Sequence, residues 1–453
     1  MRSSARNREL AALIPVALLL TAGFTAVFAQ EGSRLGNASV IYGAYFFALC
    51  IVTHIYLRIR LPNADPYLFP LMALLTAIGL VMVYRIDENL ARDQANWFVL
   101  GLVLFALTIQ LLRDYEVLER YRYTIAAVGI LLLLAPRLPG IGQQVNGAYL
   151  GVKIGPIAFQ PAEFSKICIV VFLASYLREH REVLIVGARR VLGVTLPPLK
   201  HFGPMLVVWG ASMFMLVFIR DLGSSLMFFA AFLALLYVAT GRFSFVVIGM
   251  AMFIVGAWFF ATTVPHVHDR IEVWLHPYND PQNTGYQILN SIFAQADGGL
   301  FGKGFGQGLI TIPGTSRALL PAAQTDTIYS LIVNELGLFG ACGLIATYLL
   351  VTARGFKVAL LANDGFSKLL ATGLTAVFAI QAFVIIGGVT RVIPLTGVTL
   401  PFVSYGGSSI VANFVLVALL LLVSDRARRE ATEPAGREAV EPAGRDFALG
   451  ATA

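Results

Sequence analysis

Apolar runs of about twenty residues, the length that crosses roughly 30 Å of hydrocarbon, recur along almost the whole chain. Only 13% of the 453 residues are charged, against about 25% in a typical soluble domain. A soluble globule of this size would lack the polar surface to cover itself. The sequence therefore predicts a membrane protein, in which the location of the net charge of +7 matters more than its sum.

The runs predict an all-α, polytopic transmembrane helical bundle of about 12 spans. These spans lie near residues 10–30, 39–58, 67–84, 95–112, 122–137, 162–177, 203–219, 222–240, 243–263, 326–353, 367–390 and 404–424. With both termini in the cytoplasm, the inner segments carry most of the 33 lysine and arginine residues, as the positive-inside rule requires. The first run follows three arginines and lacks a small-x-small cleavage site, so we expect an uncleaved anchor helix.

Three stretches are more than short connections. The outer loop of residues 264–325 is too long for a plain connection. A shorter outer loop, residues 138–161, is rich in glycine and proline. Residues 425–453 repeat the motif Glu-Pro-Ala-Gly-Arg and hold few apolar residues, which predicts a disordered cytoplasmic tail.

The long outer loop contains two patterns that resemble ligand sites. The glycine series within residues 298–308 lacks the Walker spacing and follows no strand, so it indicates a backbone that turns repeatedly. Lys303 within it is a cation that can meet an anionic head group. Ligands two residues apart, such as His266 and His268, converge only on an extended segment, so exposed loop histidines are the expectation.

Unusual polar residues lie at the predicted outer helix ends. Glu163 and Lys166 stand three apart and share one helix face, which in lipid must point inward. They form either a functional site or a helix-stabilising ion pair. Arg391 follows the eleventh span, and Ser404 and Tyr405 begin the twelfth. This distribution predicts a cavity that is open to the outer leaflet.

Asp326 directly precedes an apolar helix, and two interpretations remain open. It is an N-cap, worth about 1 kcal/mol, or a half-desolvated carboxylate with a raised pKa suited to general-base catalysis. The helix N-terminus opposes the second interpretation because it favours the anion.

At these positions the sequence resembles the SEDS family (shape, elongation, division and sporulation), whose members include RodA and FtsW. The matching stretches are Gln160 to Lys166, Asp221 to Gly223, Arg270 through Gly308, Thr325-Asp326, Asn334 to Gly337, and Pro394 through Ser408. The resemblance implies a ten-helix core over residues 67–424. Two additional N-terminal helices, residues 1–66, are similar to those of actinobacterial RodA-like members.

The resemblance implies a peptidoglycan glycosyltransferase at the outer face of the bacterial cytoplasmic membrane, acting in elongation, cell shape or division. Its substrate would be lipid II, a disaccharide-pentapeptide on undecaprenyl pyrophosphate, and its partner a single-span class B penicillin-binding protein. Asp326 matches the essential aspartate, which acts on the acceptor hydroxyl as a base or through a divalent cation, Mg²⁺ or Mn²⁺. The implied substrate-binding residues are Lys166, Arg270 and Lys303, as pyrophosphate cations, with Glu163, Gln160, Arg391, Ser404 and Tyr405.

The sequence departs from the family pattern at Leu150-Gly151, where an Arg-Trp pair is common, and at Asn334, which replaces a glutamate. A lipid II flippase or another polytopic transporter is the alternative function, because twelve spans with a large cytoplasmic loop at residues 177–202 suit a two-half transporter. Such a plan predicts similar halves and polar groups near mid-membrane, whereas this chain has unlike halves and polar groups at its outer rim. A scaffold without chemistry is the third alternative.

Overall fold

The structure, a computed structural model, is built mainly from helices. It describes residues 2–30, 38–145, 148–155, 157–186, 189–191, 194–196, 210, 221–308, 310–311 and 318–432. The helices are, in chain order, α1 Arg2–Gln30, α2 Ala38–Arg60, α3 Leu68–Ile86, α4 Glu88–Leu111, α5 Val117–Arg120, α6 Arg122–Leu134, α7 Pro161–Val186, α8 Leu222–Thr240, α9 Phe243–Thr263, α10 Pro265–Leu275, α11 Tyr286–Gly298, α12 Ile328–Leu361, α13 Gly365–Val389 and α14 Gly407–Thr432.

Nine of the described helices are long and apolar enough to cross a membrane: α1 to α4, α8, α9 and α12 to α14. The predicted spans near 122–137 and 162–177 correspond to α6, which has 13 residues, and to α7, which carries charges at both ends. The span predicted near 203–219 lies, apart from residue 210, outside the described residues. The multi-pass helical bundle is confirmed, and the count of twelve spans and the orientation stay predictions.

Several helices extend beyond their predicted ends because polar residues continue them. The carboxylate of Asp87 accepts hydrogen bonds from the backbone N–H groups of Asn89 (2.7 Å) and Leu90 (3.3 Å), so α4 begins at Glu88 and not at residue 95. The prediction that the tail begins at residue 425 is wrong, since α14 continues to Thr432.

The outer loops have structure of their own. Residues 138–161 contain a three-stranded antiparallel sheet in the order β1 Gly142–Val145, β2 Ala148–Ile154 and β3 Ile157–Phe159. The predicted loop 264–325 contains α10 and α11. A second hairpin, β4 Arg189–Val191 with β5 Val194–Leu196, follows α7. These small sheets lie between helices and leave the helical class unchanged.

The bundle is assembled by close packing of α3, α4 and α14. Helix α14 packs along α4, and α12 packs along α13. A Cβ at Gly79 of α3 would lie 2.6 Å from the carbonyl oxygen of Phe402, so glycine is required for α3 to touch the backbone that precedes α14. Helix α1 packs against both α2 and α3, which joins the two N-terminal helices to the core.

Helix α12 is broken at Gly337, which has φ +66° and ψ −167°. A Cβ at this position would lie 2.3 Å from the backbone nitrogen of Gly302. The N–H of Lys303 donates to the carbonyl of Asn334 (2.9 Å). The glycine series therefore packs against the break in α12, which is why both segments need glycine.

Candidate active site at the outer helix ends

Two connecting segments meet at the end of the bundle that is predicted to face outward. One is residues 318–327, before α12, and the other is residues 390–406, between α13 and α14. The hydroxyl of Ser404 donates to the carbonyl of Thr325 (2.7 Å) and accepts from the N–H of Leu400 (2.9 Å). The N–H of Tyr405 donates to the carbonyl of Gln324 (2.8 Å). The predicted site residues Ser404 and Tyr405 thus fix the segment that carries Asp326.

A buried glutamine on α4 supports this junction from below. The amide of Gln94 donates to the carbonyl of Ser404 (3.0 Å) and accepts from the N–H of Gly406 (3.2 Å). Because Gln94 is fully buried, both of its polar atoms need such partners. The segment before α14 is therefore held on two sides, by α4 and by the approach to α12.

Asp326 lies half-buried at this junction. The N-cap position of α12 is occupied by Thr327, whose side chain makes no capping hydrogen bond and donates to the carbonyl of Pro321 (2.8 Å). Asp326 is therefore not the helix cap that its position in the sequence also allowed. A Cβ on Gly397 would lie 3.9 Å from the Oδ2 atom of Asp326, which is ordinary van der Waals contact, so Gly397 lies directly beside the carboxylate.

The surroundings of Asp326 favour its neutral form. Burial raises the pKa of Asp326 from an ordinary 3.8 to about 6, although the Arg270 guanidinium and the Thr325 hydroxyl lower it. A carboxylate with this pKa is still mostly ionised at pH 7 and is a stronger base than an exposed aspartate. Such a group suits proton abstraction from a hydroxyl.

Arg270, on α10, lies between two carboxylates. Its Nη1 atom donates to the carbonyl of Leu395 (2.6 Å), which fixes the guanidinium against the 390–406 segment. Burial lowers the pKa of Arg270, whereas Asp221 and, to a smaller extent, Asp326 raise it. Among the predicted cations that the structure describes, Arg270 is the one whose charge acts on Asp326.

Asp221 is a site residue that the predicted set omitted. It caps α8 by accepting from the N–H (2.9 Å) and hydroxyl (2.6 Å) of Ser224. Burial raises the pKa of Asp221, while Ser224 and Arg270 lower it and Glu163 raises it further. Each of these charges thus acts on the next: Glu163 on Asp221, Asp221 on Arg270, and Arg270 on Asp326.

Glu163 and Lys166 form a buried ion pair on α7, with 2.6 Å between Nζ and Oε2. The ammonium of Lys166 also donates to Gln381 Oε1 (2.7 Å) and Asn413 Oδ1 (3.3 Å), which occupies its three hydrogens. Gln381 in turn donates to the carbonyl of Thr399 (3.0 Å). The pair therefore fits both interpretations given above, a helix-stabilising ion pair and part of a functional site, because it lies inside the bundle and also supports the segment beside Asp326.

Gln381 and Asn413, which complete this cluster, were not predicted. Each is the polar residue of an otherwise apolar helix stretch, α13 or α14, and that exception was the available signal.

The remaining predicted residues lie at the margin. The backbone N–H of Gln160 donates to the Ser408 hydroxyl (2.8 Å). Arg391 donates to the carbonyls of Trp274 (2.8 Å) and Leu275 (2.9 Å), so it ends α10 rather than facing Asp326. Lys303 is exposed and pairs with Asp297 at 2.8 Å.

A second unpredicted pair holds the glycine series. Glu335, fully buried on α12, accepts from the N–H groups of Gly306 (3.0 Å) and Gly308 (3.2 Å). Arg85 donates to the carbonyls of the same two glycines (2.7 and 2.9 Å) and lies 3.4 Å from Glu335. Glu335 belongs to one of the stretches that carry the SEDS resemblance, but its sequence did not reveal this partner.

Two hydroxyl groups beside the site are buried without a hydrogen-bond partner in the described part of the chain. They belong to Thr396 and Thr399, on either side of Gly397. Buried polar atoms usually have partners, and exceptions need an explanation.

Among the described residues, the protein donors at Asp326 do not form a closed metal cage. Asp326 supplies one carboxylate, and the charge beside it is the Arg270 cation. Nowhere in the described residues do three His, Cys, Asp or Glu side chains converge as metal ligands. Mg²⁺ bound at one carboxylate takes its other ligands from waters and substrate phosphates, so both actions that the resemblance implies for Asp326, as a base or through a divalent cation, fit this donor set.

Comparisons with known proteins agree with this architecture. The family model for the cell cycle proteins FtsW, RodA and SpoVE matches residues 66–429. The peptidoglycan glycosyltransferase RodA of Mycobacterium bovis is 39% identical over 435 residues, which cover 94% of this chain and 91% of that protein. The probable peptidoglycan glycosyltransferase FtsW of Geobacter metallireducens is 32% identical and covers 78% of this chain and 92% of its own length.

The fold is also similar to that of a solved chain. That solved chain comes from a study of how a peptidoglycan synthase complex coordinates polymerization and crosslinking. It is 26% identical, with a TM-score of 0.64 over 81% of this chain and 98% of that one. The likeness supports a membrane-embedded bundle of this family.

Proposed function

The chain belongs to the FtsW, RodA and SpoVE family of cell cycle proteins, and from that premise we propose that it is a peptidoglycan glycosyltransferase of the bacterial cytoplasmic membrane. The observation that carries the catalytic assignment is Asp326. It is a half-buried carboxylate with a pKa of about 6, next to Arg270, at the junction of two outer segments. A polymerase needs such a base at the side of the membrane where glycan is made.

The proposed substrate is lipid II, used as both donor and acceptor. A hydroxyl oxygen of the acceptor sugar bonds to the anomeric carbon of the donor, and the bond from that carbon to the pyrophosphate oxygen breaks. The hydroxyl proton passes to Asp326, and undecaprenyl pyrophosphate leaves. Asp326 then returns its proton to water before the next addition.

Arg270 is the proposed cation for the charge that develops on the pyrophosphate. It is fixed by Leu395 and lies beside Asp326, so it is oriented before the reaction and stabilises the leaving group without rearrangement. Lys166 takes a different role in this proposal. Its hydrogens are used inside the bundle, so it positions the segment around Thr399 and does not meet the pyrophosphate directly.

A role in elongation and cell shape is favoured over division. The RodA relative covers 94% of the chain and its alignment therefore reaches into α1 and α2, whereas the FtsW relative covers 78%. The proposed partner is a class B penicillin-binding protein, which would crosslink the new strands. The likeness to a chain from a synthase complex supports such a partner.

Polymerisation by the purified full chain tests the assignment. With its partner and lipid II, the wild type should produce glycan strands, and Asp326→Asn should produce none while still binding the partner. Glu88→Gln is the control, because Glu88 is an exposed carboxylate at the same end of the bundle and its partner, Arg92, has no place in the proposed site. Full polymerisation by Asp326→Asn contradicts the assignment. Movement of lipid II across vesicles without polymerisation would favour the flippase.

A further inference from the structure

A polar concavity lies at the opposite end of the bundle from Asp326. It has a volume of about 600 Å³ and is lined by the ends of α2 and α14 and the connection after α4. Its cations are Arg60, Arg113, Arg426 and Arg429, and we call it the basic pocket. Its size is within the range of roughly 300–1,000 Å³ typical of ligand sites.

The basic pocket lies where hydrocarbon meets water. The arginine-rich helix ends around it mark the cytoplasmic side under the positive-inside rule. Part of its wall is apolar, from Ile59, Leu61 and Leu422, and Ile59 is 71% exposed on the outer surface of the bundle. Leu61 and Leu422 are buried, so a ligand in this pocket meets arginines on one side and, on the other, the lipid-facing side chain of Ile59.

The charges of the pocket do not cancel. Glu116 pairs with Arg426 at 2.8 Å, and an Asp425 oxygen accepts from the N–H of Asn63 (2.7 Å). Arg60 and Arg113 are exposed and form no ion pair or hydrogen bond with any residue that the structure describes. Asp114 is the one carboxylate of the pocket that is likewise exposed and without an ion pair or hydrogen bond of its side chain to any residue that the structure describes.

Buried polar contacts hold the frame of the pocket. Buried Asp65 forms ion pairs with Arg428 and, at 3.6 Å, with Arg354, and its N–H donates to the Ser424 hydroxyl (3.0 Å). The hydroxyl of buried Tyr115 bonds to Ser367 (2.6 Å). A preformed site loses less entropy when its ligand binds, so the pocket is prepared for an anion.

From this geometry we infer that the basic pocket binds the phosphate of an anionic phospholipid in the inner leaflet. Arg60 and Arg113 contact the phosphate by charge-assisted hydrogen bonds, and the glycerol and upper acyl chains lie against the exposed side chain of Ile59. Basic pockets between helices on the cytoplasmic side are suited to such head groups. The lipid would join α2, one of the two added helices, to α14 of the core.

Native mass spectrometry of the purified full chain tests this inference. Phosphatidylglycerol and phosphatidylcholine with identical acyl chains are titrated, and phosphatidylglycerol should bind more tightly. Arg60→Gln and Arg113→Gln should each weaken phosphatidylglycerol binding about fivefold, the equivalent of about 1 kcal/mol per arginine at a membrane surface. Arg120→Gln is the matched control, since Arg120 is an exposed arginine on the same side and outside the pocket.

Titrations with different ligands show whether the bound phosphate belongs to a phospholipid, a substrate lipid or a soluble anion. Equal binding of the two phospholipids, or an equal loss in Arg120→Gln, overturns the inference. Tighter binding of undecaprenyl pyrophosphate than of phosphatidylglycerol, lost with Arg60→Gln, overturns it in favour of a substrate lipid. Binding of water-soluble glycerol 3-phosphate as tight as that of the lipid overturns it in favour of a soluble anion. Retained binding in a folded Arg60→Lys, Arg113→Lys double variant supports it, because the charges remain.

Discussion

The pH dependence of polymerisation is the most direct test of Asp326 as a base. Only the ionised carboxylate accepts a proton, so the rate should follow the ionised fraction of Asp326. With a pKa of about 6, that fraction is about 9% at pH 5 and about 91% at pH 7. The rate should therefore rise about tenfold between pH 5 and pH 7.

An aspartate at its ordinary pKa gives a different result. With a pKa of 3.8, the carboxylate is already about 94% ionised at pH 5, so the rate would change by less than about 10% up to pH 7. The assay is single-turnover glycan formation by the full chain with its partner, in buffers of constant ionic strength. A flat profile over this range refutes the assignment of Asp326 as a desolvated base.

Arg270→Gln gives the second half of the test. Arg270 lowers the pKa of Asp326, so its removal should move the acid limb of the profile to higher pH. The same change should lower the limiting rate at high pH, since the leaving group loses a cation. A limb that stays in place, or moves to lower pH, shows that the two charges do not interact as the structure indicates.

Three further predictions concern stability. Because the pKa of Asp326 is raised on folding, its contribution to the free energy of unfolding is fully present below about pH 3.8 and is lost as pH rises through about 6, a change of about 3 kcal/mol. Asp326→Asn should therefore raise the Tm at pH 7 but not at pH 4. A lower Tm of this variant at pH 7 contradicts the prediction. Lys166→Met leaves the Glu163 carboxylate buried without its cation and should cost about 3–5 kcal/mol, seen as a lower Tm that the added change Glu163→Gln partly restores. Glu335→Gln weakens the hydrogen bonds to Gly306 and Gly308, so hydrogen exchange should accelerate across residues 302–308 and stay unchanged in the 390–406 segment.

Hydropathy alone established most of the architecture. In a membrane, backbone polar groups must be satisfied within the segment, so each apolar run of about twenty residues predicts a helix. The described spans follow these runs. The helix ends differ from the predicted ones, because α4 begins with a polar turn capped by Asp87 and α14 continues through charged residues to Thr432. Hydropathy identifies only the apolar part of a helix, so it does not show where polar residues continue that helix.

The candidate site was predictable only in part. Asp326, Arg270 and the Glu163–Lys166 pair were identified from their positions and from the resemblance, because charged groups near lipid are costly and few. Sequence spacing left Asp326 open as a helix cap. The tertiary structure assigned that position to Thr327 and placed the carboxylate beside Arg270 and Gly397.

The partners that define the roles of these charges come from distant parts of the chain. Lys166 meets Gln381 and Asn413, and Glu335 meets Arg85 and the glycine series. Nothing local in the sequence links such residues, because a pairing between helices depends on how they rotate and pack. The sequence by itself determined a multi-pass helical membrane protein with its charges near the helix ends. Only the tertiary structure decided which charges are neutralised inside the bundle and which remain available to a substrate.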